Sequence, residues 1–156
     1  MDKIVLGKFY KVIILSYLMQ LKDAIESRKS VKRFSHKKPS WEKIIQAIDY
    51  ARFAPTAGND FVTKFILVDD EKVIAELAAA SQQDFVGTAQ YVVVAVSDDS
   101  NLIRDYPDKG ERYCAQQAGA AIQNLLLALT EKKLVTTWVG HFYDNQVRRT
   151  YGFLMV

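Results

Sequence analysis

The chain has 156 residues, 49% of them hydrophobic and 25% charged, which is a globular composition with enough length to bury a core. Seven glycines and three prolines are too few for a disordered or repeat-built chain. A formal net charge of +3 is too mild for the dense basic face of a nucleic-acid binder, so no nucleic-acid partner is expected, but it suits a site for a small phosphorylated anion.

At the N-terminus, residues 12–19 form an apolar run preceded by Lys3, Lys8 and Lys11. The run is far short of the roughly 20 residues a membrane helix needs, and no small-x-small cleavage site follows it. Residues 1–18 therefore read as an extension, either an extra helix or a stretch upstream of a second start at Met19. Residues 19–156 read as one domain with no linker and no membrane association.

Leu21, Ala24 and Ile25 give a short helical stripe over residues 21–28. The basic segment 28–38 follows and is closed by Pro39. Ser40 stands as the N-cap of a second helix whose face is Trp41, Ile44, Ile45, Ile48 and Ala51, and which ends before Pro55. Residues 55–60, rich in Pro, Gly and Asn, form a loop. Residues 64–68 are β-prone, residues 71–80 helical, and residues 91–96 a continuous β-branched run expected as a buried strand. Residues 97–110 read as a polar surface loop. Residues 112–133 form the longest helix, Ala-rich and apolar on most sides, as a central buried helix would be. Residues 136–142 read as a third strand and residues 145–151 as a short basic helix. Helices and strands mix without a repeat, so the expected class is α/β or α+β, with helices around a sheet.

Cys114 is the single cysteine, so no internal disulfide can form, and a reducing, cytoplasmic setting is expected. It lies in a helical pattern and reads as a small buried hydrophobe. His36 falls in the basic segment and should be exposed. His141 reads as a partly buried structural histidine, with a substrate contact as the alternative. Two histidines and one cysteine are too scattered for a metal site.

The basic segment holds Arg28, Lys29, Lys32, Arg33, Lys37 and Lys38 within eleven residues. Such runs are often solvated surface. Here Ser30 sits among the cations, and Val31 and Phe34 can anchor the segment. Arg can grip phosphate with two parallel bonds, Ser adds a hydroxyl donor, and Lys adds a mobile charge. Glycine-rich phosphate loops of the GxxxxGKS and GxGxxG kinds are missing, so any phosphate must be held by side chains.

Four stretches in order carry a family resemblance. Arg28-Lys29-Ser30-Val31-Lys32-Arg33-Phe34 resembles the opening motif of the FMN-dependent nitroreductase family. Ala51-Arg52-Phe53-Ala54-Pro55-Thr56-Ala57-Gly58-Asn59 resembles its next element. The stretch from Gln117-Ala118-Gly119 to Leu127-Ala128 resembles its central helix, and Thr136-Thr137-Trp138-Val139-Gly140-His141-Phe142 its Thr-Cys-Trp-Val-Gly-x-Phe strand.

The resemblance implies a nitroreductase-like α+β fold, a central mostly antiparallel sheet surrounded by helices, and FMN as cofactor, with NAD(P)H as co-substrate. It also implies a homodimer with the flavin at the interface. The implied activity passes hydride from NAD(P)H through flavin N5 to a small-molecule acceptor such as a nitroaromatic or quinone. Arg28, Lys29 and Ser30 would hold the phosphate and ribityl chain. Lys32 would lie near N1 and O2 of the ring, stabilising the charge of the reduced flavin. Pro55, Thr56, Ala57 and Asn59 would approach the flavin across the dimer interface. Trp138, Val139 and Gly140 would face the ring edge, although from its residue type alone Trp138 reads sooner as a core aromatic and Asn59 can be a turn residue. No acid–base residue is implied.

The chain departs from the family pattern in three places. Asp60-Phe61-Val62-Thr63 replaces x-Gln-Pro-Trp after Asn59, Val135 replaces a glycine, and the sequence ends where relatives continue through a further strand and a basic tail. A flavin-binding protein without turnover is therefore the alternative reading. A specialised relative such as a reductive dehalogenase is a third, with residues 97–110 as its lid.

Overall fold

The computed structural model describes residues 19–150. Six α-helices and two strands follow in the order α1 (Leu21–Ser27), α2 (Trp41–Ala51), β1 (Thr63–Val68), α3 (Glu71–Ser81), β2 (Val92–Ser97), α4 (Ser100–Asp105), α5 (Gly110–Glu131) and α6 (Asp144–Thr150). Short 3-10 turns lie at Ala57–Asn59 and Asp84–Thr88. The expectations for residues 1–18 and for Tyr151 onward fall outside the described residues.

The strands pair antiparallel, from Thr63 opposite Ser97 to Val68 opposite Val92. The long helix α5 packs against both strands and against α1, α2 and α4. Its 22 residues make it the axis of the molecule, as the Ala-rich pattern predicts. The core joins Ile44, Ala47, Ala51 and Ala54 from α2 and its exit to Ala121, Leu125 and Leu129 of α5. Phe65, Leu67 and Val93 close it from the sheet. Ala47 and Ala121 are both fully buried, so at these positions the two helices leave no room for a larger side chain.

Local chemistry sets the helix ends. Asp70 caps α3 by accepting from the backbone N–H groups of Lys72 and Val73, at 2.9 and 3.1 Å. Gln82 ends it in the left-handed region, at φ 53°. Ser40 is the N-cap of α2, as expected, but its hydroxyl binds the Glu42 carboxylate and makes no capping bond to the backbone.

Several expectations are corrected. Residues 136–142 are not a strand: they make one isolated parallel bridge, Thr136 to Ser30, because among the described residues no neighbour continues the ladder. Residues 97–110 are not a plain loop. Leu102, 1% exposed, anchors the short helix α4 within them, and Asp98 starts it by accepting from Ser100. The stripe on α1 buries Ala24 alone, leaving Leu21 and Ile25 exposed. On α2, Trp41 and Ile45 are exposed as well, and Ala47 takes the buried place beside Ile44 and Ala51. His141 is exposed, not partly buried.

Candidate functional site

The backbone N–H of Arg28 closes α1 by donating to the Ala24 carbonyl at 3.0 Å. From there the basic segment leaves in extended form. The Val31 N–H donates to the Thr136 carbonyl at 3.0 Å, and the Thr137 hydroxyl donates to the Val31 carbonyl at 2.5 Å. Two stretches more than a hundred residues apart are thereby fastened side by side, and Arg28, Lys29, Ser30 and Lys32 come to lie along the chain that carries Trp138, Val139 and Gly140.

Lys38 pairs with Asp69 at 3.2 Å and lies over the Tyr91 ring at 4.8 Å. Among the described residues, Arg28, Lys29, Lys32, Arg33 and Lys37 have no carboxylate partner. Their charge is uncompensated within one segment, which is the electrostatic requirement for an anion site. Lys32 does not project freely: its ammonium sits 5.4 Å from the Phe85 ring centre, and Phe34 packs on the same ring at 6.4 Å.

Trp138 is 51% exposed, so it is not a core aromatic. Its ring edge reaches over Gly119 of α5, 3.9 Å from where a Cβ would stand. Nothing lies within 4 Å of a Cβ built at Gly140, so the backbone there is open for close approach. Beneath these residues runs an apolar cleft of about 630 Å³, lined by Phe34, Phe85, Tyr91, Leu126 and residues 134–140, with Lys37 and Lys133 in its wall.

The loop of residues 55–60 has its contacts with α4 and the residue that follows it. Gly58 and Asn59 both take left-handed backbone, at φ 60° and 59°. Gly58 faces Tyr106, whose hydroxyl would stand 3.2 Å from a Cβ. Asp60 accepts from the Asn101 side chain at 3.3 Å. These contacts tie the loop to α4 and the start of α5. Pro55, Thr56, Ala57 and Asn59 make no hydrogen bond to the basic segment among the described residues. Sequence reasoning missed Phe85 as the platform for Lys32, and Lys37 and Lys133 as cleft residues. The only signal for Phe85 was its place in a turn after α3, which does not reveal a partner 53 positions earlier in the chain.

Cys114 is buried on α5, and burial pushes its thiol above the ordinary range, partly offset by a hydrogen bond with Ser97. The expected inert role fits. Among the described residues, no helix is long and apolar enough to cross a membrane.

A long buried helix against an antiparallel pair, with a basic segment bridged to an open Trp-Val-Gly stretch, defines an α+β scaffold with a candidate anion site built from side chains. The sequence profile of the Nitroreductase family matches residues 25–85 and 78–153, well over half of the chain. The chain belongs to the nitroreductase family. A Methanocaldococcus jannaschii protein assigned to the nitroreductases is 40% identical over 80 residues, which is 51% of this chain and 40% of the relative. The chain thus matches about two fifths of that relative's length.

The fold is shared with solved structures. A nitroreductase family protein from Clostridium novyi NT superposes with a TM-score of 0.80 at 23% identity, covering 88% of this chain and 78% of that one. The NADPH:FMN oxidoreductase of Vibrio harveyi, solved with NAD+, gives 0.75 at 22% identity, covering 85% of this chain and 62% of that one.

Proposed function

We propose that this chain is an FMN-dependent oxidoreductase that takes hydride from NAD(P)H and delivers it to a small acceptor such as a nitroaromatic or quinone. The observation that carries the reading is the Ser30–Thr136 bridge, which joins the uncompensated basic segment to the open residues 138–140 at the mouth of an apolar cleft. The residues present fit the cofactor. Five cations without carboxylate partners among the described residues suit a phosphate, and the cleft beside them suits a planar apolar ring.

Arg28, Lys29 and Ser30 would bind the phosphate end, and Lys32 would place positive charge beside the ring. Trp138, Val139 and Gly140 would flank the ring edge, with the open Gly140 backbone letting it come close. When bound, FMN supplies a ring nitrogen able to accept and return hydride. The lysine's charge favours the reduced ring electrostatically, and the apolar wall keeps water from it. The loop of Pro55, Thr56, Ala57 and Asn59 makes no hydrogen bond to the basic segment of its own chain among the described residues. A homodimer in which it reaches the partner's site accounts for that. The Vibrio relative's NADPH:FMN activity supports the cofactor pair, and a lone buried thiol suits a reducing cytoplasm.

The test is the visible spectrum of the purified protein, with NAD(P)H oxidation measured in the presence of a nitroaromatic. Stoichiometric flavin and steady turnover are expected, and Arg28→Ala should abolish flavin binding. Colourless protein that FMN cannot reconstitute would overturn the reading. Binding without turnover is the second reading, favoured by the Asp60–Asn101 bond that commits the altered loop after Asn59 to α4. Flavin bound with no NAD(P)H oxidation would select it.

A further inference from the structure

A lysine carries its charge on a long, flexible stem, so the charge acts on a neighbouring group only as far as its place is fixed. Lys32 is fixed from both ends. At its root, the Val31 N–H and carbonyl are bonded to Thr136 and Thr137. At its tip, the ammonium lies 5.4 Å from the centre of the Phe85 ring, whose electron-rich face attracts a cation. Residues two apart on an extended segment project to the same side, and Phe34 lands on the same ring. Asp84, next to Phe85, forms no ion pair among the described residues. A ring face therefore holds this cation where a carboxylate would have neutralised it.

Phe85 is itself held still. It belongs to the 3-10 turn Asp84–Thr88, which the buried Val86 roots in the core. The Thr88 hydroxyl donates to the Phe85 carbonyl at 2.7 Å. Gly87 packs on α3, where a Cβ would stand 3.5 Å from Ala78. The Phe85 ring also lines the apolar cleft, so the ammonium it carries sits beside that cleft.

We propose, resting on the reading of residues 28–32 as the flavin grip, that Phe85 is a positioning residue: its ring holds the Lys32 ammonium beside the cleft and thereby raises the reduction potential of the bound flavin. The ring bears no net charge, so the lysine's charge stays available to the reduced cofactor. Phe85 acts through Lys32.

The test compares Phe85→Leu, which keeps an apolar side chain and removes the ring, with Phe85→Tyr, which keeps the ring face. In flavin-free protein, the proton signals of the Lys32 ε-methylene, read by NMR, should be displaced upfield by the ring current. Phe85→Leu should abolish the displacement and Phe85→Tyr should retain it. In flavin-loaded protein, Phe85→Leu should lower the ratio of reduced to oxidised flavin at a fixed potential about threefold. That is about 14 mV in the midpoint of a two-electron couple, and Phe85→Tyr should restore it. Lys32→Met should lower the midpoint as well, and adding Phe85→Leu to it should change nothing further. An undisplaced Lys32 signal in the unaltered protein overturns the proposal. So does a further fall when Phe85→Leu is added to Lys32→Met, which assigns the effect to direct contact between ring and flavin. If Phe85→Leu fails to fold, Phe85→Met fills similar space without a ring and takes its place. Protein that binds no flavin defeats the flavin reading alone, and its Lys32 signal still upholds or overturns the hold of Phe85 on the lysine.

Discussion

Cys114 shows how burial decides the chemistry of a single side chain. Its thiol is held above the ordinary range chiefly by desolvation, so the thiolate is scarce at neutral pH. At pH 8 its alkylation should be at least about tenfold slower in the folded protein than in denaturant. Because the folded state binds this proton more tightly, the associated stability is present below the ordinary thiol range and fades as pH rises through the folded value. Asp98 has the opposite sign. Its hydrogen bond from the Ser100 hydroxyl lowers it, so its contribution is present above the ordinary carboxylate range and is lost as acid is added. Cys114 as a buried hydrophobe was legible from its helical surroundings. The exposure of Trp138 and His141 was not, because a β-branched and aromatic run looks alike whether it enters a sheet or skirts one.

At the scale of elements, the sequence indicated every long helix and both strands of the sheet, since their periods are strong and uninterrupted. What it concealed were elements defined by tertiary contact. The helix α4 has only six residues, and its identity rests on Leu102 being driven into the core beside the start of α5. Gly110 is the hinge of that contact. A Cβ there would stand 2.5 Å from the backbone of Leu102 and Ile103, so the neighbouring chain itself would have to shift. Gly110→Ala should therefore cost about 1–3 kcal/mol in chemical denaturation, despite alanine's better helix propensity. A neutral or stabilising effect would mean that α4 and α5 do not meet in this way. The expected third strand failed for the converse reason. Its residues are β-prone, but a strand exists only where a neighbour supplies a ladder, and Ser30 supplies one rung.

For the whole molecule, the family and α+β class were readable from four ordered motifs, because together they span most of the chain. The candidate site was readable only as a set of residues. That the first and fourth motifs would be fastened together, while the second turned toward α4, depends on contacts no local pattern encodes. The fastening is slight: two hydrogen bonds link Val31 to Thr136 and Thr137. Thr137→Val should remove about 1 kcal/mol from it. The expected result is faster hydrogen exchange across residues 28–34 and weaker flavin binding, with the melting temperature nearly unchanged. A large fall in melting temperature without local loosening would show that the bond serves the core and not the site.

The bond between Thr137 and Val31 spans 106 positions in sequence. Closing so large a loop costs chain entropy that must be met before the contact returns anything, so such contacts form late in folding. The order of assembly follows. The α2–α5 core can condense first from helices that are stable by their own packing, and the segment from Arg28 to Lys32 docks onto residues 136–138 afterwards. A refolding chain would pass through a stage with its helices in place and no competence to bind an anion. Ligand present at that stage would pull the last step forward by mass action, so the rate of regaining cofactor affinity should rise with ligand concentration while the rate of core formation does not.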